Sequence, residues 1–189
     1  GGFNPGHGFV RPPARLDEAA ALAATIILSN QNDMFGGQSF PHFDRDLGGF
    51  VRARCPDTTP AAAEEAMAAF VLAINTMHSR AGGNVPFSSV NVGGDTTAAG
   101  RLVTRALLTA FARGLGRGET PLFPNIVFRL QAGVNFNPSD PNYDLFQLAM
   151  QVAGRRMNPT FSFMDASFNR AYGDEVAYMG CRTRVIANR

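Results

Sequence analysis

Cys181 stands between Gly180 and Arg182 in the stretch YMGCRTRV, with a second arginine at 184. A glycine permits a tight turn, and two guanidinium groups favour a thiolate or an exposed sulfur at a loop tip. This thiol is therefore a candidate reactive group. No histidine lies near it in sequence, so a cysteine–histidine nucleophile pair is unsupported. The other cysteine, Cys55, falls in VRARCPDTTP, which reads as a polar connector with no comparable setting.

A second group of polar residues lies in NTMHSRAGGNVPFSSVNVGGDT, residues 75–96. Ser79, Arg80, Ser88, Ser89 and Asn91 surround one apolar, strand-like run bracketed by glycine pairs. Glycine-rich turns let backbone N–H groups approach a phosphate, and a helix beginning just after the run would attract anions. These five residues are candidate substrate contacts, although a plain turn before a helix would look the same. Neither GxxxxGK[ST] nor GxGxxG occurs, so the common nucleotide fingerprints lend no support. His7, His42 and His78 show no metal-ligand spacing, and no metal site is expected. Asp44 with Asp46, and Asp140 with Asp144, have the spacing of acid–base pairs, but acids in loops are usually solvated.

The elements that would position these residues alternate between helical and strand-like segments, the pattern of an α/β fold with parallel strands. Residues 16–29 read as a buried helix, and 33–46 as an ordered loop rich in glycine, aromatics and polar groups. A second helix is expected from Pro60 to about Met77, with Thr59 as its cap. A strand over 85–92 leads to a third helix capped by Asp95 or Thr96 and ended by Gly114 and Gly116. Further strands are expected within 121–130 and 160–165, separated by a helix that follows Asn142. In such folds chemistry gathers at the carboxyl ends of the strands, which directs attention to SSVN, FRL and MDASFN.

Composition narrows the function classes. The 189 residues suit one domain, and all seventeen basic residues are arginines spread along the chain, for a net charge of +2. A nucleic-acid-binding face is not expected. No apolar run approaches the roughly 20 residues of a membrane span, so a soluble, cytoplasmic protein without a membrane partner is expected. There is no initiator methionine, and the ends read as cuts through a longer protein, so the chain is taken as an internal fragment of a single domain, 1–189.

Six stretches together resemble the class III anaerobic ribonucleoside-triphosphate reductases: SNQNDMFGGQSFPHFD (29–44), NTMHSRAGGNVPFSSVN (75–91), GLGRGETPLFPNIVF (114–128), GVNFNPSDPNYDLFQLA (133–149), PTFSFMDASFN (159–169) and EVAYMGCRTRV (175–185). They occur in the family's order and cover most of the chain. The resemblance implies part of a ten-stranded α/β barrel of the glycyl-radical type, its first half and the start of the finger loop. It makes Cys181 the finger-loop cysteine whose thiyl radical takes the 3'-hydrogen of the ribose. Met179 matches a methionine found beside that cysteine in members that use formate as reductant.

The resemblance further implies a ribonucleoside triphosphate substrate, nucleotide effectors, a homodimer and a separate radical-generating activase. It implies a glycyl radical and a structural zinc elsewhere in the full protein, and S-adenosylmethionine with an iron–sulfur cluster on the activase, with no cofactor held within 1–189. Two other readings stay open: another glycyl-radical enzyme acting on a non-nucleotide substrate, and a non-catalytic nucleotide-binding paralogue.

Overall fold

A computed structural model describes residues 7–34, 36–173, 176–180, 184 and 185. The first helix, α1 (Leu16–Asn30), buries Leu16, Ala20, Ala23, Ala24 and Ile27 along one stripe. It packs on α3 (Pro60–Thr76), whose own stripe of Ala63, Ala66, Met67, Phe70 and Ile74 is also buried. Alanines on both stripes let these helices approach closely, and the larger side chains fill the space between layers. Thr59 caps α3 by accepting a hydrogen bond from the Ala62 N–H at 3.2 Å, as its sequence foretold.

Four strands form one parallel sheet in the order β1 (Gln38–Phe40), β2 (Ser88–Val92), β3 (Asn125–Leu130) and β4 (Thr160–Phe163). Helices α2 (Phe43–Arg54) and α3 join β1 to β2, α4 (Ala98–Arg113) joins β2 to β3, and α5 (Tyr143–Arg156) joins β3 to β4. Successive side chains alternate between the faces of a strand. Val90, Val92, Ile126, Phe128 and Leu130 on one face meet the helices in a single core. Phe128 is fully buried between Phe146 and Phe161, and its replacement by alanine would cost about 3–5 kcal/mol. The other face carries Ser39, Ser89, Asn91, Asn125, Val127, Arg129, Thr160 and Ser162, a mostly polar surface aligned by register.

Four sequence expectations are corrected. The segment 33–46 is not a loop throughout: it contains β1 and the first turn of α2, and the supposed connector around Cys55 begins as the last turn of α2. Two glycines inside FDRDLGGFVRAR argue against a helix by propensity. Packing requires the first of them, because a Cβ on Gly48 would lie 2.8 Å from the backbone of Gly100, where α2 crosses α4, whereas one on Gly49 would meet only the end of Arg52. The cap of α4 is Thr97, which accepts from the Gly100 N–H at 3.2 Å, and neither Asp95 nor Thr96. Asp95 instead accepts from the Thr97 N–H and braces the cap. The strand expected over 85–92 is shorter, Ser88–Val92.

Beyond β4 lie a short helix, α6 (Ser167–Arg170), and a two-stranded antiparallel ribbon of β5 (Ala177–Tyr178) and β6 (Arg184–Val185). Tyr178 is opposite Arg184, so residues 179–183 connect the ribbon's strands and Cys181 is midway among them in sequence. Cys181 itself, with Arg182, lies outside the described residues.

Candidate functional site

The segment leading to Cys181 lies on the polar face of the sheet. Asn91 makes a two-way pair with Tyr178: its Oδ1 accepts the backbone N–H at 2.8 Å and its Nδ2 donates to the carbonyl at 2.7 Å. Ser39 donates to the same carbonyl at 3.0 Å. Two residues on, the Gly180 N–H donates to Ser89 Oγ at 3.0 Å, and Asn125 Nδ2 donates to the Gly180 carbonyl at 3.1 Å. The chain thus runs antiparallel to β2, Tyr178 over Asn91 and Gly180 over Ser89. A strand advances about 3.3 Å per residue, so the two-residue steps on both chains match.

Side chains here do what a neighbouring strand's backbone does in a sheet. Gly180 fits because nothing projects from it, since an added Cβ would stand 3.1 Å from Asn125 Nδ2. The Tyr178 hydroxyl donates to Asn169 Oδ1 at 2.6 Å, and Asn169 is anchored in turn to the Phe163 carbonyl. The Met179 thioether rests against Gly37, where a Cβ would lie 3.5 Å from its sulfur. Tyr178, Met179 and Gly180 also line a cavity of about 700 Å³, with Asn125, Thr160 and Ser162 on its floor, which continues around the edge of β4.

The direction matters. Ser89 and Asn125 are at the amino end of their strands and Gly37 precedes β1, so the segment is delivered to the amino end of the sheet. The three stretches to which the sequence directs attention relate differently to this segment. SSVN touches the segment through Ser89 and Asn91, and MDASFN does so through Asn169, but FRL does not: Arg129 turns to His42. Ser88 belongs to the opposite face with Val90, its hydroxyl buried without a partner among the described residues. Ser79 and Arg80 sit in the turn before β2, at the amino end. There Ser79 donates to Asn32 Oδ1 at 3.1 Å, Gln31 ties the neighbouring loop to the Asn84 carbonyl, and Arg80 is exposed. Ser79 and Arg80 therefore share an end of the sheet with Met179, while Ser88, at the same end of β2, is turned to the helix-covered face.

Sequence reasoning missed Ser39 and Asn125, the outer members of the clamp, because β1 was read as loop and Asn125 as a plain strand residue. It also missed a cluster at the carboxyl end. Asp44 is 2% exposed, accepting from the backbone N–H groups of Gly93 at 2.8 Å, Asp95 at 3.1 Å and Arg45 at 2.9 Å. Burial raises its pKa, against the pull of those three donors and the charge of Arg129. Arg129 Nη1 meets His42 Nδ1 at 3.0 Å, both residues buried. Asn135 and Asn142 donate to the carbonyls of Gly93, Asp95 and Arg129, so the turn after β2 is held from all sides. Gly93, at φ 98, crosses over the Phe128 ring with no room for a side chain. Asp46 remains exposed beside Arg45, so Asp44 and Asp46 form no acid–base pair.

Among the described residues no three histidine, cysteine or acidic side chains converge as a metal site, and no helix is long and apolar enough to cross a membrane. Comparison with known proteins decides the family. The family model for anaerobic ribonucleoside-triphosphate reductase matches residues 1–189, the whole chain. The chain belongs to that family. It is 31% identical to the anaerobic ribonucleoside-triphosphate reductase of Haemophilus influenzae over 96% of its own length and 28% of that protein. Against the reductase of that name from Enterobacteria phage T4 the identity is 30%, over 96% of this chain and 33% of the relative. The Escherichia coli K12 reductase is likewise 30% identical over 96% of this chain and 28% of its own. The chain thus spans about a third or less of the relatives it matches.

Proposed function

We propose that this chain is part of the catalytic barrel of an anaerobic enzyme that reduces ribonucleoside triphosphates to deoxyribonucleoside triphosphates, with Cys181 as the group that acts on the ribose. The observation that carries the reading is the clamp on residues 178–180, on a chain whose whole length matches the reductase family. A reaction that begins with hydrogen abstraction from carbon needs its sulfur at a fixed distance from one C–H bond and away from water. Neutral amides and hydroxyls that grip the backbone just before Cys181 serve that need without adding charge.

In this proposal Cys181, as the thiyl radical, takes the 3'-hydrogen of the ribose and becomes a thiol. The same S–H returns a hydrogen after the 2'-hydroxyl has left as water. An S–H bond is close in strength to the C–H bond it exchanges with, so the transfer runs both ways. Formate is the proposed reductant, oxidised to carbon dioxide while it supplies two electrons, and Met179 precedes Cys181 by two residues in the sequence. A glycyl radical elsewhere in the full protein would supply the oxidising equivalent once an activase has generated it. Any zinc would be held by residues other than those described, and no step here depends on it. Ser79 and Arg80, at the end of the sheet to which the segment is delivered, are proposed to meet the triphosphate. Completion of a ten-stranded barrel, the finger loop, a homodimer and nucleotide effectors belong to the same proposal.

Cys181→Ala and Cys181→Ser in the full-length protein test it. Both variants are expected to lose turnover while nucleotide binding is unchanged. Substantial residual reduction in either variant overturns the role of Cys181. Turnover supported by a redoxin-type dithiol but not by formate overturns the choice of reductant alone.

A further inference from the structure

The polar residues on β2 have an alternative to touching the substrate. Ser89 and Asn91 are fully buried, and their hydrogen-bonding groups are directed at the backbone of residues 178 and 180. Asn91 uses both ends of its amide on the backbone of one residue, as donor to the Tyr178 carbonyl and acceptor from the Tyr178 N–H. Ser89 accepts from the Gly180 N–H while its own hydroxyl is directed at the Gln38 carbonyl, 3.4 Å away. Asn125 closes the array on the Gly180 carbonyl. All three strands contribute, at positions that the sheet register puts side by side: Ser39 with Ser89, and Ser89 with Asn125.

We propose that Asn91, Ser89 and Asn125 are positioning residues that set the register of β5 against β2, and so the height at which the residue after Gly180 stands over the sheet. A strand moved by one residue turns every side chain to the other face and carries its end about 3.3 Å along. Four backbone groups, the N–H and C=O of Tyr178 and of Gly180, are each matched to a side chain of complementary type, and that pairing is lost in any other register. Glycine at 180 leaves room for the fourth bond, since a Cβ there would press on Asn125 at 3.1 Å. The inference rests on the role proposed for Cys181, but it makes a separate claim, that β2 acts through β5 and not on the nucleotide.

Asn91→Leu in the full-length, activated protein is the decisive variant, since leucine keeps the branched skeleton of the side chain and removes both hydrogen bonds to Tyr178. Displacements of about 1 Å can lower a rate by about 10²-fold. The expected result is a fall in kcat of that order with an unchanged KM for the nucleotide and an undiminished glycyl-radical signal. Hydrogen exchange should accelerate in the peptide containing Tyr178 and Gly180, while peptides of α3 and α4 keep their protection. Ser89→Ala removes one bond from the same array and serves as the second variant if Asn91→Leu does not fold, with a smaller fall in kcat and the same selective exchange. A raised KM with kcat intact in these variants overturns the proposal in favour of direct substrate contact. Unchanged kcat and KM, or exchange that accelerates throughout the domain, overturns it as well. Cys181→Ala separates the two levels: if it retains turnover the proposed chemistry fails, whereas an inactive Cys181→Ala beside a fully active Asn91→Leu sinks only the positioning claim.

Discussion

At the amino end of the sheet, neutral hydroxyls and amides hold the backbone of residues 178–180, while at the carboxyl end a buried carboxyl group holds the turn after β2 beside a buried arginine–histidine pair. A neutral hydrogen bond contributes about 0.5–1.5 kcal/mol net, so the amino-end clamp fixes a register without contributing much to overall stability. Removing one partner from a buried charged cluster leaves desolvated groups behind and costs about 3–5 kcal/mol. Mutations at the amino end should therefore appear in catalysis, and mutations at the carboxyl end in folding.

The largest effect that would break this contrast is predicted for Asp44→Ala. It strands the N–H groups of Gly93, Asp95 and Arg45 and leaves Arg129 without its nearby acid. A loss of about 3 kcal/mol is expected in chemical denaturation of the full-length protein. If Asp44→Ala is as stable as the parent but inactive, the carboxyl-end cluster belongs to the reaction and the division of labour fails.

A smaller effect sharpens the comparison through pH. Burial raises the pKa of Asp44 above 3.8, so the folded state takes up its proton more readily than the unfolded chain. Stability attributable to this group is then greatest below the unfolded pKa and declines as pH rises towards the folded one. Relative to Asp44→Asn, which does not titrate there, the parent should gain stability as pH is lowered from 7 towards 4. A gap that narrows over that range would show that the three N–H donors and Arg129 outweigh burial.

Much of this contrast was legible in the sequence on one side only. The long helices α1, α3, α4 and α5 and the strands β2, β3 and β4 follow from apolar periodicity, a capping threonine and the prolines and glycines between them. The candidates Ser89 and Asn91 were visible as polar residues on a strand, an unusual placement for a run buried on both faces. Their partners were not, because what they bind is backbone some ninety residues away, and a backbone partner has no sequence signature. The carboxyl-end cluster was hidden for a different reason. Asp44 and His42 look like loop residues until α2 is recognised, and α2 is disguised by Gly48 and Gly49, of which packing against Gly100 explains the first. Cys181 stands out by its glycine and arginine neighbours, and the role proposed for it comes from the resemblance.

The smallest expected effect concerns Asp144, at the rim of the carboxyl-end network. Burial pushes its pKa up, but hydrogen bonds and charge from Arg101, with the charge of Arg105, outweigh that and leave it below 3.8. Its contribution is therefore present above pH 3.8 and lost as pH falls through the lower, folded value, opposite in sign to that of Asp44. The side chain is 45% exposed and screened by water, so Asp144→Asn should cost no more than about 0.5–1 kcal/mol at pH 7. Arg101 also donates to Asn142 Oδ1 at 2.7 Å, and Asn142 holds the turn at Gly93 and Asp95. Loosening the Arg101 ion pair thus reaches the buried turn through Asn142. A double-mutant cycle of Asp144→Asn with Asn142→Ala should show coupling of about 0.5 kcal/mol or more. Strict additivity would mean that the rim and the buried turn are held independently, and that the rigidity of the carboxyl end comes from Asp44, Asn135 and Asn142 alone.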